Sequence, residues 1–401
     1  MADLPVLIAG AGISGLLLAQ YLQRHQIPYL LFEQDGSIDA RSGGWGLTLH
    51  WGLPALRELL PDYLVARLPE TYVNKAAAIR GDTGRFQFFD LRTGSALYSV
   101  PAAERIRVSR VRLRQLLATD LGLQWNKSLT SIDSTTESVT AHFQDGTSYT
   151  GCLLVGCDGS RSRTREIVYP EGHEMNPLPV QLLGGAALYS AEQMGGAETI
   201  DPFIFQGSHP DTNIFFFFSL LDTPNNFDES DKDKYLCQII VSWSDEKGIP
   251  VPSDNAERLA LMKSLTANWV EPFRGLVHHL PESTEVRSIR IADWLFRSGQ
   301  GTAHPRVVLM GDSAHTMTMF RGEGANNAIV DVLDLTKRVD LRSLGSLGID
   351  ELRKSLTAYE NDVLARAGPS VVNSRQACLD AHDFSRIVDG SPLVSARLRE
   401  E

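Results

Sequence analysis

The stretch VLIAGAGISGLLLAQYLQRHQIPYLLFEQD, residues 6–35, runs an apolar segment into a helical one through a turn with three glycines. Val6–Ala9 is apolar throughout and reads as a short buried strand. Over Ile13–Arg24, Leu16, Leu17, Ala19 and Leu22 make one apolar stripe, which predicts a helix. Tyr29–Phe32 is a second apolar strand. Strand, helix and strand within roughly 30 residues form a parallel crossover unit. Gly10, Gly12 and Gly15 stand in the spacing G-x-G-x-x-G. The first permits the tight turn, the second lets backbone approach a pyrophosphate, and the third lets helix and strand pack closely. The helix N-terminus then presents free N–H groups and a positive dipole end to the phosphates. Glu33 closes the second strand, where a carboxylate accepts both hydroxyls of a ribose. An acid there suits the adenosine ribose of FAD or NAD and disfavours a 2′-phosphate, so NADPH is not the ligand expected at this turn.

Working outward, 401 residues allow two or three domains and a large core. The balance of 49 acidic against 38 basic residues gives a net charge of −11, which argues against broad nucleic-acid binding. No window of about 20 apolar residues is present, so no membrane span is expected. The N-terminus has no basic segment leading into an apolar stretch and a cleavage site, so a cytoplasmic location is expected. Cys152, Cys157, Cys237 and Cys378 are scattered and lack zinc-ligand spacing; no metal site is expected. Cys152 and Cys157 fall on opposite faces of one expected strand and should not pair.

Further along, Leu53–Leu60 and Arg110–Leu121 read as helices, the latter on Leu113, Leu116 and Leu117. Residues 72–100 read as strands and turns. Strands over 138–143 and 148–155 bracket QDGT, a hairpin signal with Asp-Gly in the turn. Residues 176–290 hold β-prone runs, including NIFFFFSLL and YLCQIIVSWS, which predict a largely antiparallel sheet with a helix near Asn255–Trp269. Within Phe215–Phe218 only alternate rings share a face, so at most two of the four line any one surface. Arg306–Met310 is again a buried strand, followed by a helix from about Ala325 to Val339. From Asp350 the chain is helical, with Leu352, Leu356, Tyr359 and Val363 on one face.

Two later motifs narrow the chemistry. CDGSRSRTR carries Asp158, Gly159, Ser162 and Arg165 after the apolar run Leu153–Val155. VVLMGDSAH carries Gly311, Asp312 and His315 after a second such run, and RGEGANNAI opens a helix at Gly322 and Gly324. In order, these resemble the fingerprints of the FAD-dependent aromatic-hydroxylase family, single-component flavoprotein monooxygenases with the p-hydroxybenzoate hydroxylase fold. The resemblance extends over essentially the whole chain, and YENDVLARAGPSVVNSR looks like the family's C-terminal helix. RGEG followed by Asn and Ala is most like fungal secondary-metabolite members, and ARSGGWGLTLH is similar to a stretch of tetracycline-inactivating members. Signatures of Baeyer–Villiger enzymes with two nucleotide folds and of flavin halogenases are absent.

The resemblance implies an α/β fold: a Rossmann-like FAD-binding domain, an inserted, largely antiparallel β-sheet substrate domain, and a C-terminal helical segment. The expected division is residues 1–175 and 286–340 for FAD, 176–285 for substrate, and 341–401 for the C-terminal helices. It also implies site roles. Gly10, Gly12, Gly15 and Glu33 hold the adenosine end. Arg41 and Gly46 lie in the loop passing the flavin, Arg110 meets the FAD backbone, and Asp312 bonds the ribityl chain. Gly324, Ala325 and Asn326 place N–H groups at the pyrimidine edge, where reduced flavin is anionic. Asp158 and Arg165 belong to a motif implicated in FAD and NADPH binding.

The implied reaction is insertion of one oxygen from O2 into an aromatic or polycyclic metabolite, through a flavin C4a-hydroperoxide, with NAD(P)H as transient co-substrate. Hydroxylation, epoxidation and ring expansion all remain open, as does monomer or homodimer. So do a flavoprotein dehydrogenase or reductase, and a non-redox cyclase or binding protein that keeps FAD. Candidates for a general base are His50, Tyr189 and Tyr235; His315 reads as a structural neighbour of the flavin loop. Met319 stands where relatives usually have Pro, and Glu323 where Gln is commoner.

Overall fold

The computed structural model describes residues 4–40, 45–100, 103–224, 226, 233–297 and 303–396. In chain order the elements that frame the site are β1 (Val6–Ala9), α1 (Ile13–Arg24), β2 (Tyr29–Phe32), β3 (Gly46–Leu49), β4 (Phe86–Asp90), β5 (Ala96–Val100), β6 (Ile106–Ser109), α2 (Arg110–Leu117), β7 (Leu123–Gln124), β8 (Leu153–Gly156), β9 (Val180–Tyr189), β10 (Ile204–Ser208), β11 (Phe215–Asp222), β12 (Tyr235–Ser244), β13 (Arg287–Ser288), β14 (Val307–Leu309), α3 (Gly324–Arg338) and α4 (Ile349–Ala381).

The first sheet runs β14-β8-β1-β2-β7, with every neighbouring pair parallel. β1 sits at its centre with all four side chains buried, as a parallel sheet covered on both faces requires. α1 packs on it through Leu16, Leu17, Leu18 and Leu22, none with exposed surface. Both strand bounds and the helix bounds of this unit match the sequence reading.

The second sheet runs β13-β9-β12-β11-β10-β4-β5, antiparallel except for the parallel pair β10–β4. β4 and β5 lie far upstream in sequence, so the expected segment 1–175 supplies strands to both sheets. Each face of this sheet carries its own core. Phe216 and Phe218 join Ile239, Val241 and Trp243 on the outer face. Phe215 and Phe217 join Phe88, Leu182, Ile240 and Phe320 on the inner one. The four-phenylalanine run thus divides two and two, as strand alternation demands.

α4 ties the two layers together. It has 33 residues, about 50 Å at 1.5 Å per residue. Leu352, Leu356, Tyr359 and Val363 are buried in the core of the parallel sheet, whereas Ala377, Cys378 and Ala381 reach the inner face of the second. There Ser208 Oγ donates to the Ala381 carbonyl at 2.8 Å, and Ser242 Oγ lies 2.8 Å from His382 Nε2.

Some elements differ from the reading. Residues 72–100 contain a helix, Lys75–Ile79, whose first turn is capped by Asn74 accepting from Ala77 N–H at 3.0 Å. The expected strand 148–155 is two strands, breaking at Cys152. Residues 148–151 belong to the hairpin, and Gly151 lies so near the Pro5 carbonyl that a Cβ would sit 2.3 Å from it, while 153–156 join the parallel sheet. All four cysteines are buried and free. No helix among the described residues is long and apolar enough to cross a membrane.

Candidate active site

The glycine turn opens onto a solvent-connected groove between β1, the start of α2 and the loop after β8. Gly12, Glu33, Arg110, Asp158, Gly159 and Arg161 are among the groups facing it. The glycines divide the labour. A Cβ on Gly10 would sit 2.4 Å from the Cys157 carbonyl oxygen, and one on Gly15 would sit 2.0 Å from the Gly10 carbonyl oxygen. Those two positions close-pack turn, helix and strand. A Cβ on Gly12 would meet nothing nearer than 3.9 Å, so that position faces the groove. No side chain caps the N-terminus of α1, which leaves its first-turn N–H groups for a ligand.

Glu33 is buried at the groove edge. Its Oε2 accepts from Ala11 N–H at 2.8 Å, and its Oε1 accepts from Asp35 N–H at 3.1 Å. Arg114, four residues after Arg110 and so on the same helix face, holds the acid from behind. Its guanidinium donates to the Ala11 carbonyl at 2.8 Å and the Ile38 carbonyl at 3.0 Å, and lies 3.4 Å from Glu33 Oε2. The sequence reading passed over Arg114, although the i, i+4 spacing in RVRLRQLL signals it.

Asp158 builds the loop that walls the groove. It accepts from Ser162 Oγ at 2.5 Å, Thr164 N–H at 2.8 Å and Thr164 Oγ1 at 3.0 Å. Burial raises its carboxyl pKa, and these bonds pull the other way. Ser162 caps the following helix through Arg165 N–H at 2.9 Å. The Arg165 guanidinium stacks 4.7 Å over the Trp294 ring, and burial lowers its pKa.

The Gly-Asp turn joins this end to the N-terminus of α3. A Cβ on Gly311, at φ +66°, would lie 3.0 Å from Ser14 Oγ in the first turn of α1 and 3.3 Å from Ala328 Cβ in α3. Asp312 keeps exposed surface while protein crowds its other sides. That crowding raises its carboxyl pKa; His315, Arg110 and Arg165 lower it. A Cβ on Gly324 would lie 3.8 Å from Asp312 Oδ1, so the turn faces the N-terminus of α3, which also lacks a side-chain cap. Asn326 pins β3 and the loop after it. Its Oδ1 accepts from His50 N–H at 2.9 Å and Gly52 N–H at 3.2 Å, and its Nδ2 donates to the Thr48 carbonyl at 2.9 Å. Ala325, beside it, is partly buried against the core of the parallel sheet.

Behind the turn is a buried network that sequence reasoning missed. Asp331 accepts from Gly311 N–H at 2.7 Å, Arg366 donates to Asp331 Oδ1 at 2.7 Å, and His315 Nε2 lies 2.7 Å from Asp331 Oδ2. His315 therefore braces the turn from inside the protein. An acid at 331 on the apolar face of α3 is the signal that could have found it. Where Met319 replaces Pro, Thr318 holds the loop instead: its N–H donates to Ser374 Oγ at 3.2 Å and its hydroxyl to the Ser374 carbonyl at 2.6 Å.

Two of the general-base candidates, Tyr189 and Tyr235, lie on the outer face of the second sheet. The Tyr189 hydroxyl donates to the Leu276 carbonyl at 2.5 Å within the outer-face core, and burial raises its pKa well above the usual phenol value. Tyr235 pairs with Tyr189 across β9 and β12 and packs on the same outer core. Their register puts both away from Phe320 and Met319. His50 stands at the β3–α3 junction. Gly46 lies on β3 against the Arg107 guanidinium, and Arg41 lies outside the described residues.

The groove, the two uncapped helix N-termini and the outward Gly12 fit a long dinucleotide such as FAD. Comparisons with known proteins agree. A family model described as "FAD binding domain" matches residues 208–346. The chain is 44% identical to "Probable FAD-dependent monooxygenase" of Arthroderma benhamiae over 98% of this chain and 95% of that one. It is 41% identical to FAD-dependent monooxygenase dbaB of Emericella nidulans, covering 84% and 86%. Among solved structures, 2,6-dihydroxypyridine-3-hydroxylase from Arthrobacter nicotinovorans superposes with a TM-score of 0.76 at 20% identity, covering 100% and 98%. Klebsiella pneumoniae HpxO, complexed with FAD and uric acid, gives 0.74 at 19%, covering 96% and 90%. This chain belongs to the FAD-dependent monooxygenases, and it is an oxidoreductase that uses FAD.

Proposed function

We propose that the enzyme takes electrons from NAD(P)H and inserts one atom of O2 into an aromatic or polycyclic secondary metabolite. The other atom leaves as water, so one NAD(P)H and one proton are consumed per product. FAD, when bound, supplies the redox chemistry. The four-segment division assigns that chemistry chiefly to residues 1–175 and 286–340 and substrate binding chiefly to 176–285, with β4 and β5 of the first segment completing the substrate sheet.

The observation that carries this reading is the inner face of the second sheet. Phe88, Phe215 and Phe217 are gathered there with Phe320, Met319 and Trp45, which belong to the flavin-side loops. An apolar wall at that place receives a ring and keeps water from the reacting atoms. The N-terminus of α3 supplies N–H donors for developing negative charge. Asn326 fixes the distance between that helix and β3. His50 is the residue we put forward to accept a proton from a phenolic substrate. O2 uptake with NADPH oxidation, measured on a panel of phenols and polycyclic phenols, tests the reading. Stimulation of both in equal amounts, with an oxygenated product, supports it; NADPH oxidation that yields only reduced acceptor or peroxide rejects it.

A further inference from the structure

Arg107 is a buried cation with no carboxylate hydrogen-bonded to it among the described residues. It leaves β6 and passes under β3, so close that a Cβ on Gly46 would lie 2.6 Å from its Nη2. Nη1 donates to Thr48 Oγ1 at 2.8 Å and Nη2 to Ser219 Oγ at 2.6 Å, while Nε is buried without a partner. Ser219 shares the inner face of β11 with Phe215 and Phe217. On the adjoining β10, Gln206 is paired in register with Phe217, and its Nε2 is also buried without a partner. Residue exposure is 8% for Arg107 and 1% for Gln206.

A crevice with room for about one water-sized atom lies between β3 and this part of the sheet. Arg105, Arg107 and Asp201 contribute to its wall, so it carries two guanidiniums against one carboxylate. Arg105 is committed to the Thr83 and Gly84 carbonyls, at 2.7 and 2.5 Å. Asp201 is committed to the backbone N–H groups of Arg85, Phe203 and Ile204, at 2.5, 2.8 and 3.0 Å. Neither is hydrogen-bonded to Arg107, and the Asp201 charge offsets only part of the cost of burying it. Burying a partly compensated guanidinium with its Nε–H unpaired, beside a free amide N–H, is costly, and an anion that binds both lowers the cost.

We infer that Arg107 and Gln206 form the polar end of the substrate chamber and bind an anionic oxygen carried by an aromatic substrate. This rests on the inner sheet face being the substrate wall, as proposed above. The shared chemistry is a negatively charged oxygen on or beside the ring, either a carboxylate or an acidic phenol. The Thr48 and Ser219 hydroxyls orient the guanidinium, and the apolar wall holds the ring. Arg107 is therefore assigned as a specificity-determining residue.

The test uses FAD-loaded enzyme and three probes: 1-hydroxy-2-naphthoate, 2,4-dinitro-1-naphthol (a phenolate at neutral pH) and uncharged 1-hydroxy-2-naphthamide. Binding is read from perturbation of the flavin absorption bands. In wild type at least one anionic probe binds more tightly than the amide, and which one does identifies the source of the anionic oxygen. Arg107→Gln weakens that anion about tenfold or more and the amide by less than about twofold. Arg107→Lys retains part of the anion preference. No charge preference in wild type, or equal losses for all three probes in Arg107→Gln, overturns the inference. If Arg107→Gln does not retain FAD, Gln206→Met decides: selective weakening of the anion supports the assignment and unchanged binding overturns it. NADPH oxidation measured alongside separates this outcome from that of the proposed reaction, because charge-selective binding without stimulated oxidation fails the reaction alone.

Discussion

His315 Nε2 lies 2.7 Å from Asp331 Oδ2, and neither side chain has any exposed surface. The same carboxylate receives Gly311 N–H and Arg366, so one acid fixes the turn that presents Asp312. Burial alone would raise the Asp331 carboxyl, but His315 and Arg366 outweigh it and hold it down to about 2. Asp331→Ala strips the Gly311 N–H and His315 Nε2 of their partner while Arg366 keeps Asn327 and Asp334, and we expect a loss of about 3–5 kcal/mol in stability together with loss of FAD. Thermal unfolding and flavin content measure both.

The depressed Asp331 value also sets a pH window. Its contribution to stability is complete above the ordinary carboxylate value of 3.8 and is lost as pH falls through about 2. The stability gap between wild type and Asp331→Asn, followed by denaturant unfolding, should therefore shrink between about pH 4 and pH 2. A gap that stays constant over that range contradicts the account.

Asn326 makes three side-chain bonds that hold His50, Gly52 and Thr48 to α3. Asn326→Ala removes them and leaves buried backbone groups unpaired, at a cost of about 2–3 kcal/mol. We expect a lower melting temperature and weaker FAD binding, measured by quenching of flavin fluorescence on titration into apoprotein. Asn326→Asp keeps the acceptor and loses the donor, so its defect should be the smaller of the two.

The Tyr189 hydroxyl bonds a backbone carbonyl on the outer side of the sheet, away from Met319 and Phe320. Tyr189→Phe should cost about 1 kcal/mol of stability and leave the pH dependence of turnover unchanged. A displaced kinetic pKa would return this tyrosine to the chemistry.

How far the sequence could be read follows the range of the interactions. The unit from Val6 to Phe32 was legible because a glycine turn and its flanking periodicities are local. Pairing of β4 with β10 was not, because more than a hundred residues separate Phe88 from Gln206. The faces of β9 were illegible for another reason. VQLLGGAALY is apolar on both sides because both faces of that sheet are covered, so alternation gives no polar contrast to say where Tyr189 points. The fingerprint residues were found by pattern, whereas Arg114, Asp331 and Arg107 act through partners distant in sequence.

The central claim is that one FAD lies along the surface that Gly12, Arg110 and Asp312 share. The most direct measurement is the flavin content of purified wild type beside Gly12→Val and Gly10→Ala. Gly12→Val should fold normally by far-ultraviolet circular dichroism and carry no FAD, since its side chain projects into the groove and nowhere else. Gly10→Ala, forced against the Cys157 carbonyl, should be destabilised as a fold. Wild type should hold one FAD per chain. A colourless wild type, or a Gly12→Val protein that binds FAD as tightly as wild type, contradicts the account.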